Sequence, residues 1–179
     1  YGIIWSLILT ALLFVSIKPS IRILSDETNV LAVSRSMAFN KTVENVTQGH
    51  WYYNNFYAEP SVPSAVETRP FLFPYFTHLI HVCLGYHPEN PFVLNFLVSF
   101  VFLLLIYLLI KKSLGEIWAF AGSVLVASQP VFSQCATSAG YEILNALFVL
   151  AGFLCLKKFL ENPTGTRFEL LWVNLLMLA

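Results

Sequence analysis

Charge is scarce in this chain: Asp, Glu, Lys and Arg make up 11% of 179 residues, ten acidic against ten basic, for a net charge of +0. That balance gives no reason to expect nucleic acid, because the basic residues sit at the edges of apolar runs or among acids and form no patch. Cysteine is scarce too. Cys83, Cys135 and Cys155 are an odd number in apolar surroundings, a spacing that gives neither a disulfide framework nor a zinc site and leaves them as packing residues. No internal repeat or low-complexity tract is present beyond Leu/Phe-rich runs. What is abundant is apolar surface. Hydrophobic residues make up 57% of the chain and mean hydropathy is +0.68, too apolar for a water-soluble domain of this size. The composition predicts an all-α polytopic membrane protein.

Gly2 to Ile17 carries no charge and is the first expected span, residues 2–17. The chain starts at Tyr1 rather than Met, so this segment is open to being cut short. The Lys18-Pro19-Ser20-Ile21-Arg22 that follows is no small-residue cleavage site, and the segment reads as a retained anchor. Phe92 to Ile110 is the clearest span, nineteen uncharged residues within an expected helix over 91–110. About 20 residues rising about 1.5 Å each cross a hydrocarbon core about 30 Å thick. A third uncharged run, Ile117 to Tyr141, contains Pro130, placed near the end of a helix over 117–134. The fourth, Ile143 to Leu156, is fourteen residues and spans comfortably only if it starts near Ser138, giving 138–156. Glu142 then falls in the first turn of a membrane helix. A fifth apolar segment, 168–179, reaches Ala179 before it could cross, and the chain reads as the front part of a larger protein.

Lys111-Lys112 and Lys157-Lys158 end the second and fourth spans and Arg167 precedes the fifth, so all five fall on one side, cytoplasmic by the positive-inside rule. The loop over 18–90 is then expected to be extracytoplasmic. Lys18 and Arg22 argue mildly the other way, but the rule weakens in loops longer than about 60 residues. Asn40-Lys41-Thr42 and Asn45-Val46-Thr47 are usable glycosylation triplets outside a eukaryotic cell membrane, whereas Asn162-Pro163-Thr164 is excluded by its proline.

Two short helices are expected in that loop. Ser25 suits an N-cap, Asp26 and Glu27 the first turn, and Val30, Val33 and Met37 share a face at helical spacing. Such a helix would lie flat on the membrane. The stretch from Thr47 to Pro63 reads as an aromatic loop, with Trp51, Tyr52, Tyr53, Phe56 and Tyr57 suited to stacking on sugar rings or, more commonly, to an aromatic belt. Pro70 suits the first position of a second amphipathic or re-entrant piece, Phe71 to Tyr86.

The adjacent carboxylates Asp26 and Glu27 have two readings. At a bilayer surface they suit acid/base chemistry on a substrate whose other end lies in lipid; alternatively they favour a helix N-terminus by about 0.3–1 kcal/mol. Glu142 at the lip of a span is costly in lipid and so a functional candidate, as a second acidic contact or metal ligand, against simple snorkelling to the interface. His78 and His81, three apart, could share a metal, but no third ligand is in place, and a polar stripe on an interfacial helix is the better reading.

A first span, then Asp26-Glu27, a surface helix, the element Arg69-Pro70-Phe71-Leu72-Phe73-Pro74-Tyr75, a turn at Gly85 and a helix pair together resemble the start of the GT-C membrane glycosyltransferases. Within these the chain is similar to the protein O-mannosyltransferase and aminoarabinose transferase group, the dolichyl-phosphate-mannose-protein mannosyltransferase family. The likeness covers nearly all of the chain in layout and about two short motifs in identity. It implies a GT-C-like helix bundle, integral to the cell membrane or the endoplasmic reticulum. The implied enzyme moves a sugar from a polyprenyl-phosphate donor to a lipid, glycan or protein acceptor on the extracytoplasmic face. It also implies that Asp26, with Glu27, acts on the acceptor nucleophile and that Arg69 meets the donor phosphate. Where the aminoarabinose pattern is Glu-Lys-Pro, this chain has Glu67-Thr68-Arg69-Pro70, with Glu67 displaced by one.

The chemistry is coherent on its own terms. A hydroxyl is a poor nucleophile, and a carboxylate within hydrogen-bond reach accepts its proton as the bond to the anomeric carbon forms. The leaving phosphate needs cationic donors, which a guanidinium supplies as a planar fork; Arg69 as a lipid-headgroup anchor is the rival role. An inverting single displacement needs only those two groups on opposite faces of the sugar. No cofactor is implied with certainty, and a divalent metal stays open. A transporter, with Glu142 and Pro130 at a broken-helix site, is the second class of function, and a non-catalytic membrane subunit the third. The fragment alone is open to being inactive.

Overall fold

The computed structural model describes residues 1–22, 24–45, 51–53, 56–58, 65–66 and 71–161, with side chains described over 1–22, 27–43, 71–158 and at 160. The described chain is predominantly helical. The first helix, α1 (Gly2–Ser16), is uncharged throughout and ends with the Ile17 N–H donating to Leu13 O, two residues before Pro19. The longest, α4 (Asn90–Leu114), has Pro91 in its first turn, where a missing N–H costs nothing, and Lys111 and Lys112 in its last, where cations favour the helix dipole. Gly115, at φ 91°, stops α4 and starts α5 (Glu116–Ala127); a side chain would strain that backbone.

The uncharged run after Ile117 is not one helix with a proline near its end. It is two helices, α5 and α6 (Pro130–Ala136), with Pro130 in the opening turn of the second. Inside a continuous helix that proline would cost about 3 kcal/mol; at a first turn it costs nothing. Residues 137–141 are irregular, and α7 (Glu142–Glu161) begins at Glu142 rather than at Ser138.

Contacts along the helices fix their directions. Gly2 lies against the ring of Tyr107 near the end of α4, while Phe14 meets Phe96 near its start, with centroids 5.2 Å apart, so α1 and α4 are antiparallel. Trp5 Nε1 donates to Ser123 Oγ at 2.9 Å and its ring stands edge-on to Phe120, which seats α5 beside α1. Tyr107 OH donates to Glu116 Oε1 at 2.9 Å and Lys111 pairs with Glu116 at 3.4 Å, closing the α4–α5 turn. The end of α1, the start of α4, the end of α5, α6 and the start of α7 therefore share one end of the bundle. Lys111 and Lys112 stand at the far end of α4, and Lys157 and Lys158 at the far end of α7.

The core cluster lies at the first of these ends. Leu13, Val30, Phe73, Leu94, Val98, Ala136, Ile143 and Leu144 join α1, α4, α6 and α7 to the two helices of the long loop, α2 (Leu24–Phe39) and α3 (Leu72–Leu84). Val30, Val33 and Met37 are all buried, as their helical spacing requires, and α2 packs on α3. Burying a side chain such as Phe73 contributes about 1.5–3 kcal/mol, so this cluster ties the loop helices to the bundle.

Among the described residues one helix, Asn90–Leu114, is long and apolar enough to cross a membrane; Gly2–Ser16, Leu72–Leu84 and Glu116–Ala127 are apolar but shorter. Leu97, Val101 and Leu108 of α4, Ile3, Ile4 and Leu7 of α1, and Ile117, Trp118 and Leu125 of α5 point outward. A bundle that turns large apolar side chains outward while it buries Ser6, Thr10, Asn95, Ser99 and Ser123 suits a lipid surround.

Between α2 and α3 the stretch expected as an aromatic loop contains strands. Strand β1 (Glu44–Asn45) pairs antiparallel with β4 (Ala65–Val66), and β2 (Trp51–Tyr53) with β3 (Phe56–Ala58), in the register Trp51 to Ala58, Tyr52 to Tyr57 and Tyr53 to Phe56. Aromatic residues favour strands, and Asn54-Asn55 between two such runs is a hairpin signal that the aromatic reading overlooked. Which surfaces these aromatic side chains serve lies outside the described residues, as do Glu67, Arg69, Pro70 and the fifth apolar segment.

Candidate functional site

The described acidic residues of interest meet at the irregular segment 137–141. The chain entering α2 grips it at several points. Ser20 N–H donates to Thr137 O at 3.1 Å and Arg22 Nη2 donates to Thr137 Oγ1 at 2.7 Å, while the same hydroxyl donates to Ser133 O at 2.8 Å. Glu27 lies in the first turns of α2 and is 1% exposed. Its Oε2 accepts from the N–H of Arg22 at 3.0 Å and from the N–H of Ala139 at 3.2 Å. A buried carboxylate bound to two backbone N–H groups of different segments locks those segments together, since losing it would leave the buried Ala139 N–H unpaired.

From the bundle side, α4 holds the same segment. Asn95, fully buried, donates through Nδ2 to Ser138 O at 2.8 Å and to Gly140 O at 2.9 Å. Both amide hydrogens are thus spent on carbonyls that the irregular backbone leaves without helical partners. Ser138 Oγ accepts from the Gly140 N–H at 3.3 Å and donates to Cys135 O at 2.9 Å.

Glu142 opens α7, where its charge favours the helix N-terminus. Its carboxylate folds back over Gly140, so near that a Cβ there would collide with Oε2. Oε2 is buried and, among the described residues, has no hydrogen-bond partner. An unpaired buried polar oxygen costs on the order of 1–3 kcal/mol, which makes Glu142 a candidate for contact with a ligand. The Glu27 and Glu142 carboxylates therefore meet adjacent residues of one buried segment, at the end of the bundle opposite Lys111 and Lys112.

The backbone of Asp26 lies in α2, one residue before Glu27; its side chain is outside the described residues, and Arg69 lies outside them altogether. Three residues that the sequence reading did not assign to the site are Arg22, Asn95 and Thr137. Arg22 entered only as a topology signal. Asn95 had a usable signal of its own: it is the one amide in the uncharged Phe92 to Ile110 run, where such groups find partners across helices. Among the described residues no group of three or more His, Cys, Asp and Glu side chains is arranged to hold a metal ion.

The class that this architecture defines is a helical bundle, apolar on much of its outside, with an acidic, backbone-walled end. The sequence model of the dolichyl-phosphate-mannose-protein mannosyltransferases matches residues 68–178, which is 111 of 179 residues, and the chain belongs to that family of membrane mannosyltransferase-type glycosyltransferases. The match takes in α3 to α7, with Asn95, segment 137–141 and Glu142, and begins beyond Asp26 and Glu27. No significant match was found among curated proteins or among solved structures.

Proposed function

We propose that the acidic end of the bundle transfers a sugar from a polyprenyl-phosphate donor to an acceptor on the extracytoplasmic face, within a GT-C-like membrane domain. The observation that carries this reading is the unpartnered Oε2 of Glu142, held over Gly140 beside a segment that Glu27 clasps. Membrane placement follows the positive-inside rule: α1, α4, the α5–α6 pair and α7 span, and Lys111, Lys112, Lys157 and Lys158 face the cytoplasm. The loop over 18–90 and the carboxylates then face outward, where a polyprenyl donor presents its sugar.

Three acidic residues take different roles. Asp26 accepts the proton of the acceptor hydroxyl as the bond to the anomeric carbon forms. Glu142 offers its carboxylate to the acceptor or the sugar, its buried oxygen turning away from Gly140 as substrate binds. Glu27, spent on the N–H groups of Arg22 and Ala139, positions its neighbour Asp26 relative to segment 137–141. Arg69 supplies the fork for the leaving phosphate, completing an inverting displacement.

The test is transfer from a radiolabelled polyprenyl-phosphate mannose in membranes containing the full protein. Asp26→Asn is expected to remove transfer while insertion and abundance stay normal, and Arg69→Ala to raise the donor concentration needed for half-maximal rate. Transfer that persists unchanged in Asp26→Asn would rule out its role as the base.

A further inference from the structure

The two faces of α3 reverse the arrangement that water imposes on a surface helix. Phe73, Thr77 and His81, one turn apart, are buried, so two polar side chains turn inward. Tyr75, Leu79 and Val82 turn outward, and Phe71 and Tyr86 flank them just beyond the helix ends, exposed as well. At about 100° per residue, Tyr75, Leu79 and Val82 fall within about 60° of one another and make one stripe. Val82, 67% exposed, is the most open of them. Aromatic rings stand at both ends of the stripe. Phe71 stacks on Tyr75 with centroids 5.8 Å apart, and Tyr86 meets the exposed ring of Phe39 at 4.8 Å.

The neighbouring α2 supplies the contrast. Among its described side chains the exposed ones ahead of Phe39 are Thr28 and Arg35. The two helices pack on each other, yet α2 turns a polar side to its surroundings where α3 turns an apolar one. Thirteen residues rise about 20 Å, too little to cross a hydrocarbon core about 30 Å thick, so α3 is no span.

The chain leaves α3 little freedom of height. Residues 85–89 alone separate it from α4, the helix long enough to cross a membrane. Asn90, at the start of α4, donates to Gly85 O at 2.8 Å and lies 2.7 Å from His81 Nδ1, while Phe73 joins Leu94 and Val98 in the core cluster. These ties hold α3 at the end of α4 where Val93 and Leu97 are exposed, so the stripe adjoins the outward apolar side chains of the bundle. An apolar helix face at that level, with aromatic rings at its ends, suits the boundary between headgroups and acyl chains. We propose that the outward face of α3 lies in the extracytoplasmic leaflet, with Leu79 and Val82 among acyl chains and Tyr75 and Tyr86 at the headgroups. The helix then enters one leaflet without crossing it. This rests on the membrane placement proposed above and is independent of the transfer chemistry.

The experiment places a nitroxide at Val82→Cys, Arg35→Cys or Leu97→Cys in the full chain carrying Cys83→Ala, Cys135→Ala and Cys155→Ala, reconstituted into phosphatidylcholine nanodiscs. Leu79→Cys replaces Val82→Cys if the latter lowers the unfolding temperature. Power saturation compares collisions with oxygen, which concentrates among acyl chains, and with a water-soluble nickel chelate. The ratio of oxygen to nickel collisions is expected to be severalfold higher on α3 than at position 35 and to match that at position 97. A ratio on α3 as low as at position 35, with a high one at position 97, puts the stripe in water and overturns this proposal alone. A label on α3 that is immobile and shielded from both reagents means that protein covers the stripe, which overturns it too. A low ratio at position 97 overturns the membrane placement and this inference with it.

Discussion

Glu27 and Ala139 stand 112 positions apart, yet the Ala139 N–H donates to the Glu27 carboxylate at 3.2 Å, so the first turns of α2 and the approach to α7 form one structure. Arg22 closes the same clasp through its own N–H, at 3.0 Å, and through its guanidinium on Thr137. This linkage joins the amino-terminal part of the chain, which the family model does not cover, to the part that it does.

Glu27→Ala is therefore expected to destabilise the protein by about 1–3 kcal/mol, since the buried Ala139 N–H and the half-buried Arg22 N–H lose a charged acceptor. Glu27→Gln keeps one acceptor oxygen and is expected to recover most of that loss and to reduce sugar transfer by less than about tenfold. Thermal unfolding in detergent, with transfer measured in parallel, checks both. A far larger loss of transfer in a stable Glu27→Gln protein would make Glu27 a participant in the chemistry rather than a positioning residue.

Asn95→Leu makes α4 more apolar and a better membrane segment by hydropathy. It nevertheless is expected to lower stability by about 1–3 kcal/mol, because Ser138 O and Gly140 O lose their donor inside the protein. Unfolding midpoints against the wild type decide the sign; a stabilised variant would show that those carbonyls find other partners.

The long apolar helix was legible because nineteen uncharged residues leave few alternatives in water or lipid, and α2 because Val30, Val33 and Met37 repeat at helical spacing. Glu142 was legible by cost alone, as a carboxylate at the lip of an apolar run. The break at Pro130 was placed too late in its helix, because an uncharged run does not say whether a proline ends one helix or begins the next. The clasp was not legible at all. Nothing local to Arg22, Glu27 or Thr137 signals a contact across more than a hundred residues, and carbonyls that need Asn95 exist only once residues 137–141 leave the helical path.

Gly140→Ala separates position from stability. The new Cβ would meet the Glu142 carboxylate, the movable end of a flexible side chain, so the fold is expected to lose less than about 1 kcal/mol. Transfer is expected to fall nearly as far as in Glu142→Gln, and adding Gly140→Ala to Glu142→Gln to cost little more. Rates of the two single variants and the double variant form the cycle; additive losses would mean that Gly140 acts by another route.

His81 gives a pH signature. Burial pushes its imidazole below the usual 6.5, and the neighbouring charges of His78 and His87 push the same way. The unfolded chain then binds the more protons between the lowered folded value and 6.5, so the contribution of neutral His81 is complete above 6.5 and is lost as pH falls through that window. Unfolding temperatures from pH 7.5 to 5 are expected to drop further in the wild type than in His81→Gln. Parallel curves would remove His81 as the cause.

The central claim is that the Glu142 carboxylate serves the transfer reaction. Its most direct test is the initial rate of sugar transfer by Glu142→Gln, in membranes with matched protein abundance, from a labelled polyprenyl-phosphate donor. The substitution keeps the size of the side chain and removes its charge. A loss of about 10²-fold or more with unchanged unfolding temperature is the predicted result. A rate within a factor of about two of the wild type would contradict the account and return Glu142 to the role of a helix-start charge.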